Sequence, residues 1–360
     1  QALPPNISSV SHPDSHKWYN LKKAQFKIMP PEDLSGIDGY YYIIDGKEKN
    51  IPDTTATWTD KDTIFSADLK DGEWYLHVTS RDKAGNAGQM ASHYRVNIDT
   101  AAKPPAVFSK THPDQEQWYN NAIPELHWDT PEDLSGIEGY YYTVDKKHNT
   151  VPVKENSEWT TANQVTIQPA EDGIWYFHII SKDNAGNTGW EASHYRIKID
   201  TKVEQPRISS STHPDEKNWY NSPRVKIGWT VPQDLSKIKA FYYLFSREKH
   251  LKIPQELAVR TDMREVELTV EEEGVYYFHI VGEDNAGNIG DEPAVFTVKI
   301  DLVAEPPKII STTHVNPEKY YSNISPVFAV ERINDMSGVD GYYYMIDRNP
   351  DTMPDKKNSR

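Results

Sequence analysis

In the stretch GEWYLHVTS, Trp74, Leu76 and Val78 alternate with Tyr75, His77 and Thr79. A period of two sends successive side chains to opposite faces of a strand, so the first row is expected in a core and the second on an outer face. The same inward row returns as Trp175, Phe177 and Ile179, and again as Tyr276, Phe278 and Ile280. Tyr94, Val96 and Ile98 are likewise expected to point inward, with His93, Arg95 and Asn97 outward. Short alternating runs separated by turn residues, at roughly 8–12-residue spacing, predict an all-β sandwich. No window of useful length carries a helical period.

The pattern repeats about every 101 residues. SHPDSHKWYN, from Ser11, returns as THPDQEQWYN from Thr111, THPDEKNWYN from Thr212 and, degraded, THVNPEKYYS from Thr313. PEDLSGIDGYYY, from Pro31, has counterparts at Pro131, Pro232 and Ile333. DGEWYLHVTSRDKAGN, from Asp71, has counterparts at Asp172 and Glu273. Each complete copy closes on a strand and a proline-bearing joint: IDTAAKPP, IDTKVEQP or IDLVAEPP. The expected domains are 1–101, 102–202 and 203–303, with 304–360 as the front half of a fourth. Half a sandwich buries too little surface to stand alone, so further domains of the same chain are expected beyond Arg360.

Composition narrows the function. A net charge of −15 argues against a nucleic-acid partner, whose phosphates need an excess of Lys and Arg. With no Cys there is no disulfide, thiol nucleophile or thiolate metal site. No apolar run reaches the ~20 residues of a membrane helix. High Tyr and Trp content, 22 and 10 residues, suits pleated, half-buried surfaces.

A Trp before a Pro-Asp turn (Trp128, Trp229), then I-x-G-Y, then an aromatic strand ending D-N-A-G-N, resembles the immunoglobulin-like and fibronectin type III modules of bacterial surface proteins. The resemblance covers the three full repeats and the start of the fourth. It implies tandem seven-stranded sandwiches, three complete and one partial. The sequence departs from it in places. Ile28 and Val330 stand where the middle repeats have Trp, and Leu76, Phe177 and Phe278 stand where the fibronectin module has its corner Tyr. The third repeat lacks both glycines of SGIDG.

Four features offer chemistry. J-domain co-chaperones carry His-Pro-Asp in the loop of a helical hairpin, but here strand and turn flank it. It reads as a turn in which Asp14 caps the backbone and Trp18 covers the end of the sandwich, with a metal role for His12 and Asp14 as the alternative. In the D-x-A-G-N blocks, Gly85, Gly186 and Gly287 are expected at positive φ, with Asp82, Asp183 and Asp284 bonding the turn. The rival use of carboxylates is calcium, held at the joints by Asp99, Asp200 and Asp301 and stiffening the array. No other cofactor is expected.

The outward row is the fourth feature. It comprises Tyr41, Tyr75, His77 and His93, then Tyr141, Tyr176, His178 and His194, then Tyr242, Tyr277 and His279. Two readings stand: an exposed stripe that stacks on a surface glycan or anchors a protein, and cross-strand pairing that stabilises the sheet. Catalysis is not expected. An active site gathers unlike groups in one pocket, whereas this chain repeats the same groups, and neither a Ser-His-Asp order nor HExxH stands out. The expected role is a non-catalytic rod of an extracellular or cell-surface protein, or a periplasmic one, acting as stalk, spacer or adhesion segment. The alternatives are a glycan- or protein-binding module and an accessory region of a larger exported enzyme.

Overall fold

The computed structural model describes residues 2–169, 171–253 and 256–357. Gln1 and 358–360, the two ends of the expected array, lie outside the described residues. The chain forms two compact units, Gln1–Asp200 and Thr201–Arg360.

The first unit opens with β1 (Asn6–Ser9), β2 (Trp18–Tyr19), β3 (Gln25–Met29), β4 (Ile37–Asp45), β5 (Thr57–Thr59), β6 (Thr63–Phe65), β7 (Gly72–Asp82) and β8 (Ser92–Ile98). They make a three-stranded sheet, β1-β3-β6, and a five-stranded sheet, β2-β8-β7-β4-β5. The second module repeats this with β9 (Val107–Ser109), β10 (Glu125–Trp128), β11 (Ile137–Asp145), β12 (Glu158–Thr160), β13 (Gln164–Thr166), β14 (Gly173–Asp183) and β15 (Ser193–Ile199). Its sheets are β13-β10-β9 and β12-β11-β14-β15.

The second unit holds β16 (Ile208–Ser210), β17 (Trp219–Tyr220), β18 (Arg224–Trp229), β19 (Ile238–Ser246), β20 (Val259–Thr261), β21 (Glu265–Thr269), β22 (Gly274–Asp284) and β23 (Ala294–Ile300). These form sheets β16-β18-β21 and β17-β23-β22-β19-β20. The pair β24 (Lys308–Ser311) and β25 (Phe328–Glu331) follows. Strand order and two-sheet layering are those of tandem immunoglobulin/fibronectin III-like sandwiches. One element departs from the expected turn. Trp18–Tyr19 and Trp219–Tyr220 are short strands that run parallel to β8 and β23, capping an otherwise bare sheet edge. In the second module this pairing shrinks to a single bridge, Tyr119 to Ile199.

The inward rows make the cores. Phe26, Ile28, Leu76, Val78, Val96 and Ile98 are buried together in the first module. Where Trp replaces Ile28, the facing residue changes with it. Trp128 stacks on Phe177 at 5.9 Å and Trp229 on Phe278 at 5.8 Å, whereas Ile28 shares its core with the smaller Leu76. Matched sizes keep each core filled. In the fourth repeat Phe328 is 51% exposed, although its repeat equivalent Phe26 is fully buried. Among the described residues no strand covers that face.

The two glycines missing from the third repeat have separate physical reasons. At Gly139 a Cβ would stand 2.4 Å from the Trp159 ring and 2.8 Å from the Thr160 carbonyl oxygen, and Gly39 meets Trp58 in the same way. These glycines make room for a tryptophan on the neighbouring strand. In the third module Arg260 replaces that tryptophan, and Ala240 fits where glycine was required. The other position is a turn. Gly36 and Gly136 adopt φ of +78° and +81°, and Lys237 is forced to +71° in their place. A left-handed conformation costs a non-glycine residue about 1–2 kcal/mol.

Two outcomes follow for chemical denaturation of the full chain. Gly139→Ala should lower the stability of the second module by about 1–3 kcal/mol, the usual cost of overpacking. Lys237→Gly should raise that of the third by about 1 kcal/mol, because relief of strain outweighs the added freedom of the unfolded chain. A midpoint unchanged by the first or lowered by the second would contradict these assignments.

Candidate functional site

Two places concentrate polar side chains. The first is the joint between the first two modules. Asp99 follows β8 and is anchored by its own N–H, which donates to the Tyr19 carbonyl at 3.0 Å. Its carboxylate accepts from the Ser135 N–H at 3.0 Å, and its carbonyl accepts from the Asn187 side-chain amide at 2.8 Å. Ser135 belongs to the PEDLSG block of the second module and Asn187 to its DNAGN block. The blocks are tied together by the Asn184 amide, which donates to the Ser135 carbonyl at 2.9 Å.

This convergence brings Asp99, Asp133 and Asp183 together, with one carboxylate oxygen from each within 4.8 Å of the others. Asp99 and Asp183 are buried and Asp133 is half-buried. Burial, together with the Asp99 and Asp183 carboxylates, pushes the Asp133 carboxyl above its ordinary value, against the hydrogen bond from Ser135. Three carboxylates in a half-buried hollow suit a hard cation with oxygen ligands. Asp99 was the expected ligand, but Asp133 and Asp183 were not assigned to the joint. The readable signal was their recurrence at equal spacing as Asp234 and Asp284. Asp200 and Asp301 stand apart from Asp99, each at its own later joint. Asp200 is buried, with its N–H donating to Tyr119. The Asp301 carboxylate accepts from Ser337 at 3.0 Å. A hydrogen bond from the Ser337 side chain first, with this backbone bond and Asp335 in support, holds Asp301 below its ordinary value despite burial.

The turn assignments hold in the structure. Gly85, Gly186 and Gly287 have φ of +89°, +91° and +92°. Asp82 accepts from the Asn86 N–H and side-chain amide, both at 2.8 Å. Asp14 caps its own turn by accepting from the His16 N–H at 2.9 Å. The ring of His12 is fully engaged: Nε2 lies 2.9 Å from the Leu21 carbonyl oxygen and Nδ1 lies 2.8 Å from the Ser11 hydroxyl. Burial lowers its pKa, and with both ring nitrogens bonded to the protein it is a structural residue with no lone pair left for a metal shared with Asp14.

The second polar place is the outer face of the larger sheet. There the expected exposed stripe requires correction. The residues do lie on that face, but Tyr41 is buried and His77, His178 and His279 are completely so. Two things cover them. Trp58 packs on Tyr41 at 4.8 Å, and Trp159 on Tyr141 at 4.6 Å. The connection from β4 to β5 then folds across the sheet, where the Pro52 carbonyl accepts from Thr79 at 2.9 Å and Asp45 reaches His77 at 3.2 Å. Asn97, expected outward, is also buried beneath the Ser15 and Lys17 carbonyls, to which its amide donates. Tyr75, Tyr176, Tyr242 and Tyr277 are half-buried, and only His93 and His194 are well exposed.

Beneath this cover the first two modules share a network. His77 Nδ1 lies 2.6 Å from His93 Nδ1, and His178 Nδ1 lies 2.7 Å from His194 Nδ1. On the far side of the buried rings, Asp45 and Asp145 each lie 3.2 Å from Nε2. Burial first, and then the facing histidine, lower the pKa of His93 and His194. In the third module Val295 replaces the exposed histidine, and His279 Nε2 turns to the Glu248 carbonyl at 2.9 Å.

No protein-family model matches the chain. Among solved structures, the crystal structure of the chicken CNTN1 FN1-FN3 domains is similar at 12% identity, covering 82% of this chain and 98% of that one with a TM-score of 0.29. That likeness is too distant to carry an argument, and the fold stands on the strand order and cores described above.

Proposed function

We propose that the chain is a non-catalytic structural array of a protein working outside the cytoplasm, in which the first two sandwiches are held at their joint by carboxylates and calcium. The observation that carries this reading is the convergence at the first joint. The strand-end Asp99, the PEDLSG loop and the DNAGN loop are three of the most repeated blocks of the chain, and they meet there. The repeated polar chemistry is thus spent on linking modules rather than on a pocket of unlike catalytic groups.

Calcium suits the donor set, which is all oxygen and lies in a hollow. Three monodentate carboxylates leave about three to five coordination positions for water and carbonyls. A site so open fits the weak range, roughly 10⁻⁴–10⁻³ M, in which extracellular modules bind calcium. The buried histidines and the tryptophan cover speak against the outer face as an open glycan platform, so sheet stabilisation is the reading adopted for the stripe.

Calcium at ten times its Kd should stabilise the first unit by about 1.4 kcal/mol, raising the corresponding midpoint by about 3–6 °C over that in chelator. Asp133→Asn should abolish this shift and, in chelator, stabilise the unit by removing a repelling charge. Equal midpoints for the parent chain in calcium and chelator would remove the cation. The linking role is tested separately by small-angle scattering of the full chain. Asp99→Ala/Asp133→Asn should add the rising Kratky tail of flexibly joined modules, and an unchanged curve would contradict a joint held by these residues.

A further inference from the structure

The outer-face histidines offer donors of a different chemistry from the carboxylates of the joint. We infer that His77 with His93, and His178 with His194, bind zinc or a similar borderline first-row cation through their Nδ1 atoms. The pairs lie directly opposite each other on adjacent strands, at registers His77–His93 and His178–His194.

The buried member of each pair is fixed by a carboxylate behind it. The Asp45 carboxylate accepts from the Lys47 N–H at 2.8 Å and the Asn50 amide at 2.7 Å, and its Oδ1 lies 3.2 Å from His77 Nε2. An ionised Asp45 only accepts, so the proton between it and His77 belongs to His77 Nε2. His77 Nδ1 is then a bare lone pair aimed at His93. Asp145 does the same for His178, with the Lys147 N–H and the Thr150 hydroxyl, both at 2.7 Å, as its other donors. A carboxylate that fixes the tautomer of a histidine from behind is the usual outer shell of a metal-binding imidazole.

The exposed member completes the site. His93 now donates its Nδ1 proton to His77. His93 is exposed, so its ring can exchange that proton with solvent for one on Nε2 without changing charge. Two lone pairs then face one another. Zinc–nitrogen bonds of about 2.0–2.1 Å at a tetrahedral angle need the nitrogens roughly 3.3 Å apart. The present 2.6 and 2.7 Å must widen by well under an ångström, which the exposed rings of His93 and His194 can supply. From the covering loop, Lys49 and then Glu48 act on His93, and His148 acts on His194. Glu48 and His148 are exposed, occupy equivalent repeat positions and are donor types that zinc accepts.

The third module is a built-in control, because the elements are lost together. Val295 stands opposite His279, and Ser246 stands at the position of Asp45. His279 Nδ1 is left buried with no hydrogen-bond partner among the described residues.

The test is calorimetric titration of the full, chelator-stripped chain with zinc chloride, with calcium present in excess to fill the carboxylate site. Two zinc equivalents per chain are expected. His93→Gln and His194→Gln should each remove one equivalent, and the double variant should remove both. Glutamine can still donate to the buried Nδ1, and both positions are exposed, so thermal midpoints without zinc should match the parent's. An undiminished stoichiometry in the double variant, or no binding by the parent up to about 100 μM zinc, would overturn the assignment.

Discussion

The pleat of one long strand organises each complete module. The strands β7, β14 and β22 are each eleven residues long and pair on both sides. Because alternate side chains leave opposite faces, β14 places Phe177 and Ile179 in the core and His178 in the outer network. Its last residue, Asp183, starts the DNAGN turn and joins the carboxylates of the joint. Core, outer face and joint are therefore set by a single register. A one-residue slip would bury the polar row and expose the apolar one.

Differences between the copies show which residues depend on one another. Glycine and tryptophan change together, as Gly39 with Trp58, Gly139 with Trp159, and Ala240 with Arg260. The paired imidazoles and their carboxylate also change together, since the third module has neither. In that module Glu283 instead gathers Lys239 at 2.6 Å and the Tyr242 hydroxyl at 2.9 Å. Aromatic stacking on the outer face is thus replaced by an ion-centred cluster, and the sheet beneath keeps the same strand order. The outer face tolerates a change of chemistry because it is half-wetted, whereas the cores change only by exchanging matched volumes.

The joint uses electrostatics differently. Bringing three carboxylates within 4.8 Å is unfavourable unless a cation or protons offset the repulsion. Burial first, and then that repulsion, raise the Asp133 carboxyl. The hydrogen bonds from Ser135 and Asn187 to Asp99 hold the geometry, so the carboxylates stay gathered rather than turning away to solvent.

What was legible in the sequence was whatever depends on near neighbours. Period-two alternation marked β7 and β8 and the inward row, and the repeated glycines marked the turns at Gly85, Gly186 and Gly287. Recurrence of whole blocks showed the modular plan, and Asp99 was singled out because it sits at a joint. Two things were decided only by the tertiary structure. The alternation that sends His77 outward says nothing about the connection that later folds over it, so a residue on the outer face proved to be completely buried. The partners of Asp99 likewise lie in two loops of the following module. They meet it only once both sandwiches have closed and been set against one another. Alternation and turn chemistry are local properties of the chain, but coverage and convergence depend on contacts between segments far apart along it.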